Sequence, residues 1–223
     1  DVCSSDLDDM TRTGRARGSF RIANPNLEPE LLNNYEAGAD IGLLPGLILK
    51  TSAFYSVGNK FMYYINTGDS VNMGYRIAPI YILDNISKVE IYGVEAELNW
   101  EPATAFYTWI NYSYNHSVIS DYEMKDKAWD FDLSGKFLTD VPAHKASCGI
   151  IYKIDPWSGS VMYKYIGRRW INDRNIEETE YLLTDQYPAY SIVSLKLERN
   201  ILSNFKIGLS VDNIFDKVFI DDD

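Results

Sequence analysis

Side chains change character at every second position along residues 93–115. Val94, Ala96, Leu98 and Trp100 alternate with Gly93, Glu95, Glu97 and Asn99. After a break at Glu101-Pro102-Ala103-Thr104, Phe106, Thr108, Ile110, Tyr112 and Tyr114 alternate with Tyr107, Trp109, Asn111, Ser113 and Asn115. A period of two belongs to a strand whose two faces meet different surroundings. One face here is apolar and aromatic; the other mixes Glu, Asn and Ser with two large aromatics. The stretch predicts a two-stranded hairpin with a very short turn.

The same rhythm recurs before and after it. Tyr35, Ala37, Ala39, Ile41 and Leu43 oppose Glu36, Gly38, Asp40 and Gly42, and Pro45-Gly46 signals a tight turn. The return strand sets Leu47, Leu49, Thr51, Ala53, Tyr55 and Val57 against Lys50, Ser52, Ser56 and Gly58, with Ile48 and Phe54 as exceptions. Further strands follow Pro142, with Ala146, Cys148, Ile150, Tyr152 and Ile154 on one side, and the turn Asp155-Pro156-Trp157-Ser158-Gly159. The last two run from Tyr190 and from Phe205, joined by a short turn at 200–204. The total is about eight strands of roughly 10 residues, the length a tilted strand needs to cross a bilayer.

Connection lengths alternate. Turns near residues 45, 102, 156 and 202 are short, whereas 59–87, 117–141 and 168–186 are long, with part of 59–87 extending the flanking strands. Outer-membrane barrels have this asymmetry, with short periplasmic turns and long extracellular loops. A soluble sandwich also wets one face, but has no physical reason to place every long loop on one edge. The expected fold is therefore all-β: an antiparallel transmembrane β-barrel segment of about eight strands. Its apolar faces would meet lipid. Glu95, Glu97, Lys145, Lys164, Lys196, Lys206 and Asp212 would face the lumen, since a Lys or Arg on the lipid side costs about 2–4 kcal/mol at the midplane.

Composition narrows the function classes. A chain of 223 residues holds one large β domain or two small ones. The formal charge of −11 disfavours a nucleic-acid partner. The 17 tyrosines and 5 tryptophans suit the aromatic girdles of a membrane barrel. No stretch approaches the ~20 apolar residues of a membrane helix. Cys3 and Cys148 form no metal or redox pattern. Residues 1–18 are polar and aperiodic and predict a disordered or extraneous lead without a secretory leader, with 19–223 as the barrel portion.

With these residues in view, the chain resembles the C-terminal part of the barrel of TonB-dependent outer-membrane receptors. Asn24-Pro25-Asn26-Leu27-Glu28-Pro29-Glu30 followed by Asn34-Tyr35-Glu36 is similar to the family's lead-in and first strand. Ala53-Phe54-Tyr55, Tyr92-Gly93-Val94-Glu95, Pro142-Ala143-His144-Lys145, Pro188-Ala189-Tyr190 and Asn213-Ile214-Phe215-Asp216-Lys217 follow in family order. The resemblance implies a 22-stranded barrel around an N-terminal plug, in the outer membrane of a Gram-negative bacterium. It further implies uptake of a ferric siderophore, haem, cobalamin or glycan, driven by TonB gripping a box before the plug. Against that pattern the plug, the TonB box and the final strand are expected to lie outside this chain. The implied partners are outer-membrane lipid and lipopolysaccharide, the plug, TonB and a small-molecule substrate, with no cofactor and no enzymatic activity.

Candidate sites are sparse. His116 and His144 stand far apart, without the convergent partners of a metal site or a triad. Glu95 and Glu97 have the form of an acid/base pair on one strand face, but lumen lining is the simpler reading. Tyr122, Trp129 and Phe131 in one long connection, and Arg168, Arg169 and Trp170 in another, are the candidate substrate contacts, Arg for its bidentate grip on carboxylate or phosphate. A barrel enzyme or adhesin and a soluble carbohydrate-binding β domain are the alternatives; no Gly-x-Ser-x-Gly nucleophile setting is present.

Overall fold

The computed structural model describes residues 10–16, 19–125, 132–171, 175, 186–202 and 204–219. Its elements are strands: β1 (Gly14–Ala16), β2 (Ser19–Ile22), β3 (Leu31–Leu44), β4 (Leu47–Asn72), β5 (Ile77–Ala103), β6 (Phe106–Tyr122), β7 (His144–Ile154), β8 (Trp157–Ile166), β9 (Arg169–Trp170), β10 (Gln186–Tyr187), β11 (Tyr190–Leu202) and β12 (Phe205–Val211). β3 pairs with β4 and β4 with β5, and from there the order runs β5-β6-β7-β8-β11-β12. The ladders from β6 to β12 are antiparallel. β9 and β10 form a separate two-stranded ladder. Among the described residues no helix is long and apolar enough to cross a membrane, which leaves crossing by strands open.

Two compact units divide the chain. Unit 2 comprises Tyr35–Tyr55, Ile91–Ser117 and the described part of Leu138–Asp223. It holds two-residue turns between β3 and β4 and between β5 and β6, and another between β7 and β8. Within it the strand segments 47–55, 91–103 and 106–117 have the expected membrane length. β4 and β5 as wholes do not: they run to 26 and 27 residues, because both continue into unit 1.

Unit 1 comprises the described parts of Asp1–Asn34, Ser56–Glu90 and Val118–Phe137. The expected long connection at 59–87 is here a hairpin arm with only residues 73–76 outside its strands. Its strands escape the period-two test because they serve a core. Ile65, Met73, Ala78, Leu83, Ile86, Val89 and Ile119 are buried, three of them with no exposed surface. β1 pairs antiparallel with β2, Gly14 opposite Arg21. β2 then runs parallel to β5, Arg21 opposite Tyr81.

The Pro-punctuated lead-in acts as a clamp in unit 1. The Asn24 amide donates to Leu83 O at 2.9 Å, while its Oδ1 accepts the Asn26 N–H. Asn85 accepts the Glu28 N–H and donates to the carbonyls of Glu28 and Lys60. Glu28 pairs with the Lys60 ammonium, and Glu30 accepts the Met62 N–H at 2.8 Å. Lys60 sits at φ 62°, a left-handed conformation that costs a non-glycine residue about 1 kcal/mol or more. The contacts converging on it offset that cost.

Glycine explains two of the exceptions to alternation, Phe54 and Trp109. A Cβ on Gly93 would lie 2.6 Å from the Phe54 ring and 2.1 Å from Tyr114 O. A Cβ on Gly149 would lie 2.2 Å from the Trp109 ring. Phe54 and Trp109 thus stay on a polar face because each lies flat over a glycine of the next strand. After β12, the Asn213 amide bonds both the N–H and the carbonyl of Lys217, and Ile214 N–H bonds Val193 O. That closed loop lets Phe219 stack on Tyr190 at 4.3 Å.

Candidate functional site: a two-faced sheet with a polar hollow

Register assigns each side chain in unit 2 to a face. Ile110, Cys148, Tyr163, Val193 share one face with Leu195, Val161 and Ile150. Asn111, Ser147, Lys164, Ile192 share the other with Lys145, Ser194 and Lys196. On β3, Gly38 lies against Ser52, and on β4 the Lys50 ammonium is 3.7 Å from Glu97. Alternation therefore sets Asp40, Lys50, Glu95 and Glu97 on one side of their strands.

The apolar face is exposed along its length: Leu209 is 68% exposed, Ile110 52% and Ile150 47%. Aromatics gather at its two ends. Trp100 meets Phe106 edge-on at 5.9 Å beside one short turn, and Trp157 lies under the Arg199 guanidinium beside the next. At the far end Tyr92 stacks on His116 at 4.6 Å, and the Tyr112 hydroxyl is 2.8 Å from His144 Nδ1. Both histidines are thus spent on tyrosines. Aliphatic side chains fill the band between, the arrangement of a lipid-facing wall with two girdles.

The polar face holds a hollow of about 840 Å³, lined among others by Asp40, Lys50, Glu95, Glu97, Asn111, Lys145, Ser147 and Lys164. Glu97 is engaged by Lys50 and by the Asn99 amide, which in turn accepts the Tyr107 hydroxyl at 2.7 Å. Glu198 takes Lys196 at 3.0 Å, Lys206 at 3.7 Å and the Ser158 hydroxyl. Asn111 Oδ1 is buried without a donor, although its amide nitrogen reaches Ser147 at 3.4 Å. Among the described residues no group of His, Cys, Asp or Glu is placed to hold a metal. Of the residues expected on the lumen side, Glu95, Glu97 and Lys145 line this hollow, and Lys196 lies on the same face. Asp212 stands one residue beyond β12, continuing the side of Ser210.

The expected substrate contacts fall in both units. Tyr122 ends β6 in unit 1, its ring edge-on to Tyr63 at 6.2 Å. Trp129 and Phe131 lie outside the described residues. In unit 2, Arg169 is buried at 7% exposure with its guanidinium 5.1 Å from the Tyr187 ring, a structural setting. Trp170 is half-buried and its carbonyl accepts the Asp140 N–H, whereas Arg168 is exposed. In unit 1, Lys125 joins Asp84 at 3.1 Å and Glu123 at 3.2 Å. Nothing local in the sequence announces this cluster, because Asp84 comes from a stretch some 40 residues away from Glu123 and Lys125.

A family profile described as "TonB dependent receptor-like, beta-barrel" matches residues 5–214. Comparison with curated protein sequences finds no match. Among solved structures, a variant of the ferric enterobactin receptor PfeA from Pseudomonas aeruginosa is similar, at 22% identity and TM-score 0.66, over 89% of this chain and 27% of that one. The ferric yersiniabactin uptake receptor FyuA from Yersinia pestis is similar at 19% identity and TM-score 0.63, over 84% and 25%. A structure described as the copper transporter OprC is similar at 17% identity and TM-score 0.64, over 89% and 28%. At these identities the likeness is one of fold. The chain spans about a quarter of the length of these structures.

Proposed function

The chain belongs to the TonB-dependent receptor β-barrel family, and on that footing we propose that it is a wall segment of an outer-membrane receptor for energised uptake of a scarce small molecule. The observation that carries this reading is the two-faced sheet of unit 2. One face is an unbroken exposed aliphatic band between aromatic ends, and the other is charged and hollow. Soluble folds rarely leave so much apolar sheet surface bare; on this reading a bilayer covers it and a lumen receives the charges.

On this reading the two-residue turns of unit 2 face the periplasm. Outer-membrane lipid and lipopolysaccharide meet the apolar band, and a plug domain and TonB act on the receptor as a whole. The substrate class is that of ferric siderophores, haem, cobalamin or glycans. Tyr122, Arg168 and Trp170 are its candidate contacts on this segment, the exposed Arg168 offering its guanidinium to an anionic group.

Fractionation tests the reading. The receptor carrying this segment should sediment with the outer membrane, need detergent for extraction and change gel mobility on heating. Uptake of its substrate should stop when TonB is deleted. Recovery in the soluble fraction without detergent would overturn the proposal.

A further inference from the structure

The apolar face of unit 2 has an open gap at Gly159. Register sets Trp157, Gly159 and Val161 of β8 in successive rows from the short turn inward, with Arg199, Leu197 and Leu195 of β11 beside them. Tyr152 of β7 flanks Gly159 on its other side. Gly93 and Gly149 are also bare of a side chain, but the rings of Phe54 and Trp109 fill the space above them. A Cβ on Gly159 would meet only Lys196 O at 3.7 Å and Leu197 Cδ1 at 3.8 Å, which are ordinary contacts. The gap opens a groove of about 540 Å³ between Tyr152, Trp157 and Leu197, continuing to Val161. That is the volume of a small-ligand site.

One end of the groove is charged. Among the described residues of β7, β8, β11 and β12, Arg199 is the only Lys, Arg, Asp or Glu on the apolar face. It stands at the turn end, since the next residue, Asn200, gives its N–H to Pro156 O in the turn itself. The guanidinium lies 5.0 Å from the centre of the Trp157 ring, which orients it without neutralising it. The adjacent carboxylate, Glu198, belongs to the other face and is taken by Lys196 and Lys206. From Arg199 inward to Leu195 the strand advances about 13 Å, close to the ~15 Å of one leaflet's hydrocarbon. The groove is thus cationic at the rim and aliphatic for one leaflet inward.

We propose that this groove binds one anionic glycerophospholipid of the periplasmic leaflet, with its phosphate on Arg199 and one acyl chain laid over Gly159. This rests on the wall reading given above, which turns the short connections toward the periplasm. The guanidinium fork matches phosphate oxygens in pairs. A wholly apolar occupant, such as a partner's helix, would cover Arg199 and leave its charge without a counter-ion. A net negative headgroup is favoured over one that carries its own ammonium. Among the described residues no carboxylate lies within ion-pair distance of Arg199 to receive that ammonium. The missing side chain at Gly159 makes the site local: the rest of the aliphatic band offers a lipid chain a surface, whereas this gap offers it a seat.

The test uses the whole receptor in lipid vesicles and reads Trp157 as the difference in fluorescence from a Trp157→Phe receptor. Phosphatidylglycerol with brominated chains should quench that component at a mole fraction about tenfold lower than brominated phosphatidylethanolamine, the factor that one hydrogen bond to a charged group supplies. Arg199→Gln should abolish the preference, and Arg199→Lys should keep part of it. Gly159→Leu should weaken quenching by phosphatidylglycerol, whereas Val193→Leu, on the same face opposite Tyr163 and outside the groove, should not. Equal quenching by the two lipids, or a preference that survives Arg199→Gln, would overturn the inference. So would a photo-cross-linking residue in place of Leu195 that captures a second copy of the chain or another protein instead of lipid. A receptor that never reaches the membrane would instead bring down the wall reading. If Gly159→Leu does not assemble, the two Arg199 variants still decide.

Discussion

Units 1 and 2 draw on the same four strands, β3, β4, β5 and β6, and handle apolar surface in opposite ways. Unit 1 gathers Ile65, Leu83, Ile86, Val89 and Ile119 into a buried core. Unit 2 leaves Ile110, Ile150, Val161 and Leu209 bare on one sheet face, with Ile166 and Tyr190 as its buried hydrophobic residues among those described. Unit 1 thus supplies its own apolar environment, whereas unit 2 relies on one from outside. The contrast explains why strands of one hairpin change character along their length. In β5 the segment 77–90 answers to a core, and 91–103 answers to two different media.

The sharpest way to break this comparison is a cavity in unit 1. Ile119→Ala removes a side chain with no exposed surface and should cost about 2–5 kcal/mol of local stability. Hydrogen exchange on the membrane-embedded receptor would read it. Amides of unit 1 should lose protection by that amount while those of 144–166 keep theirs. Equal loss in both would mean that the two units open as one and that the core of unit 1 is not its own.

A second contrast sets neighbouring residues of β8 against each other. Val161 pairs with Ile150 and Leu195 on the bare face, and Ser160 with Lys196 on the charged one. Val161→Lys should cost about 2–4 kcal/mol in lipid. Ser160→Lys should stay within about 0.5 kcal/mol, in the range of ordinary surface changes. Urea unfolding from lipid vesicles measures both, and equal costs would remove the lipid assignment.

How far each unit was legible follows from the same contrast. Unit 2 could be read because one apolar and one polar face impose a strict period of two, from Val94 to Trp100 and again from Phe205 to Val211. Its lapses at Phe54 and Trp109 were opaque, since the cause is a glycine on another strand, Gly93 or Gly149. Residues 59–87 of unit 1 resemble a connection that only partly extends the flanking strands, because Phe61-Met62-Tyr63-Tyr64-Ile65 carries apolar groups on both sides of a strand. The clamp of Asn24 on Leu83 and of Glu28 on Asn85 joins residues 57 or more apart. The family landmark at 24–30 was visible as a pattern, and its hydrogen-bonding role was not. Arg169 looked like a free cation because nothing local announces Tyr187 over its guanidinium.

The smallest effect concerns the rim of unit 1. Burial acts most strongly on Lys125 and favours its neutral form, yet the hydrogen bonds and charges of Asp84 and Glu123 together outweigh it and raise its pKa above 10.5. A raised folded-state value means that the cluster adds stability below 10.5 and loses it as pH climbs through the higher value. With side chains a quarter to a third exposed or more, the contribution is under about 1 kcal/mol. Lys125→Gln should lower the protection of unit 1 amides slightly at neutral pH, and the difference from wild type should vanish at strongly alkaline pH. A gap that widens with alkalinity would assign the opposite sign to the shift, and a matching change in the strands of unit 2 would tie this ion cluster to the membrane wall rather than to the core beside it.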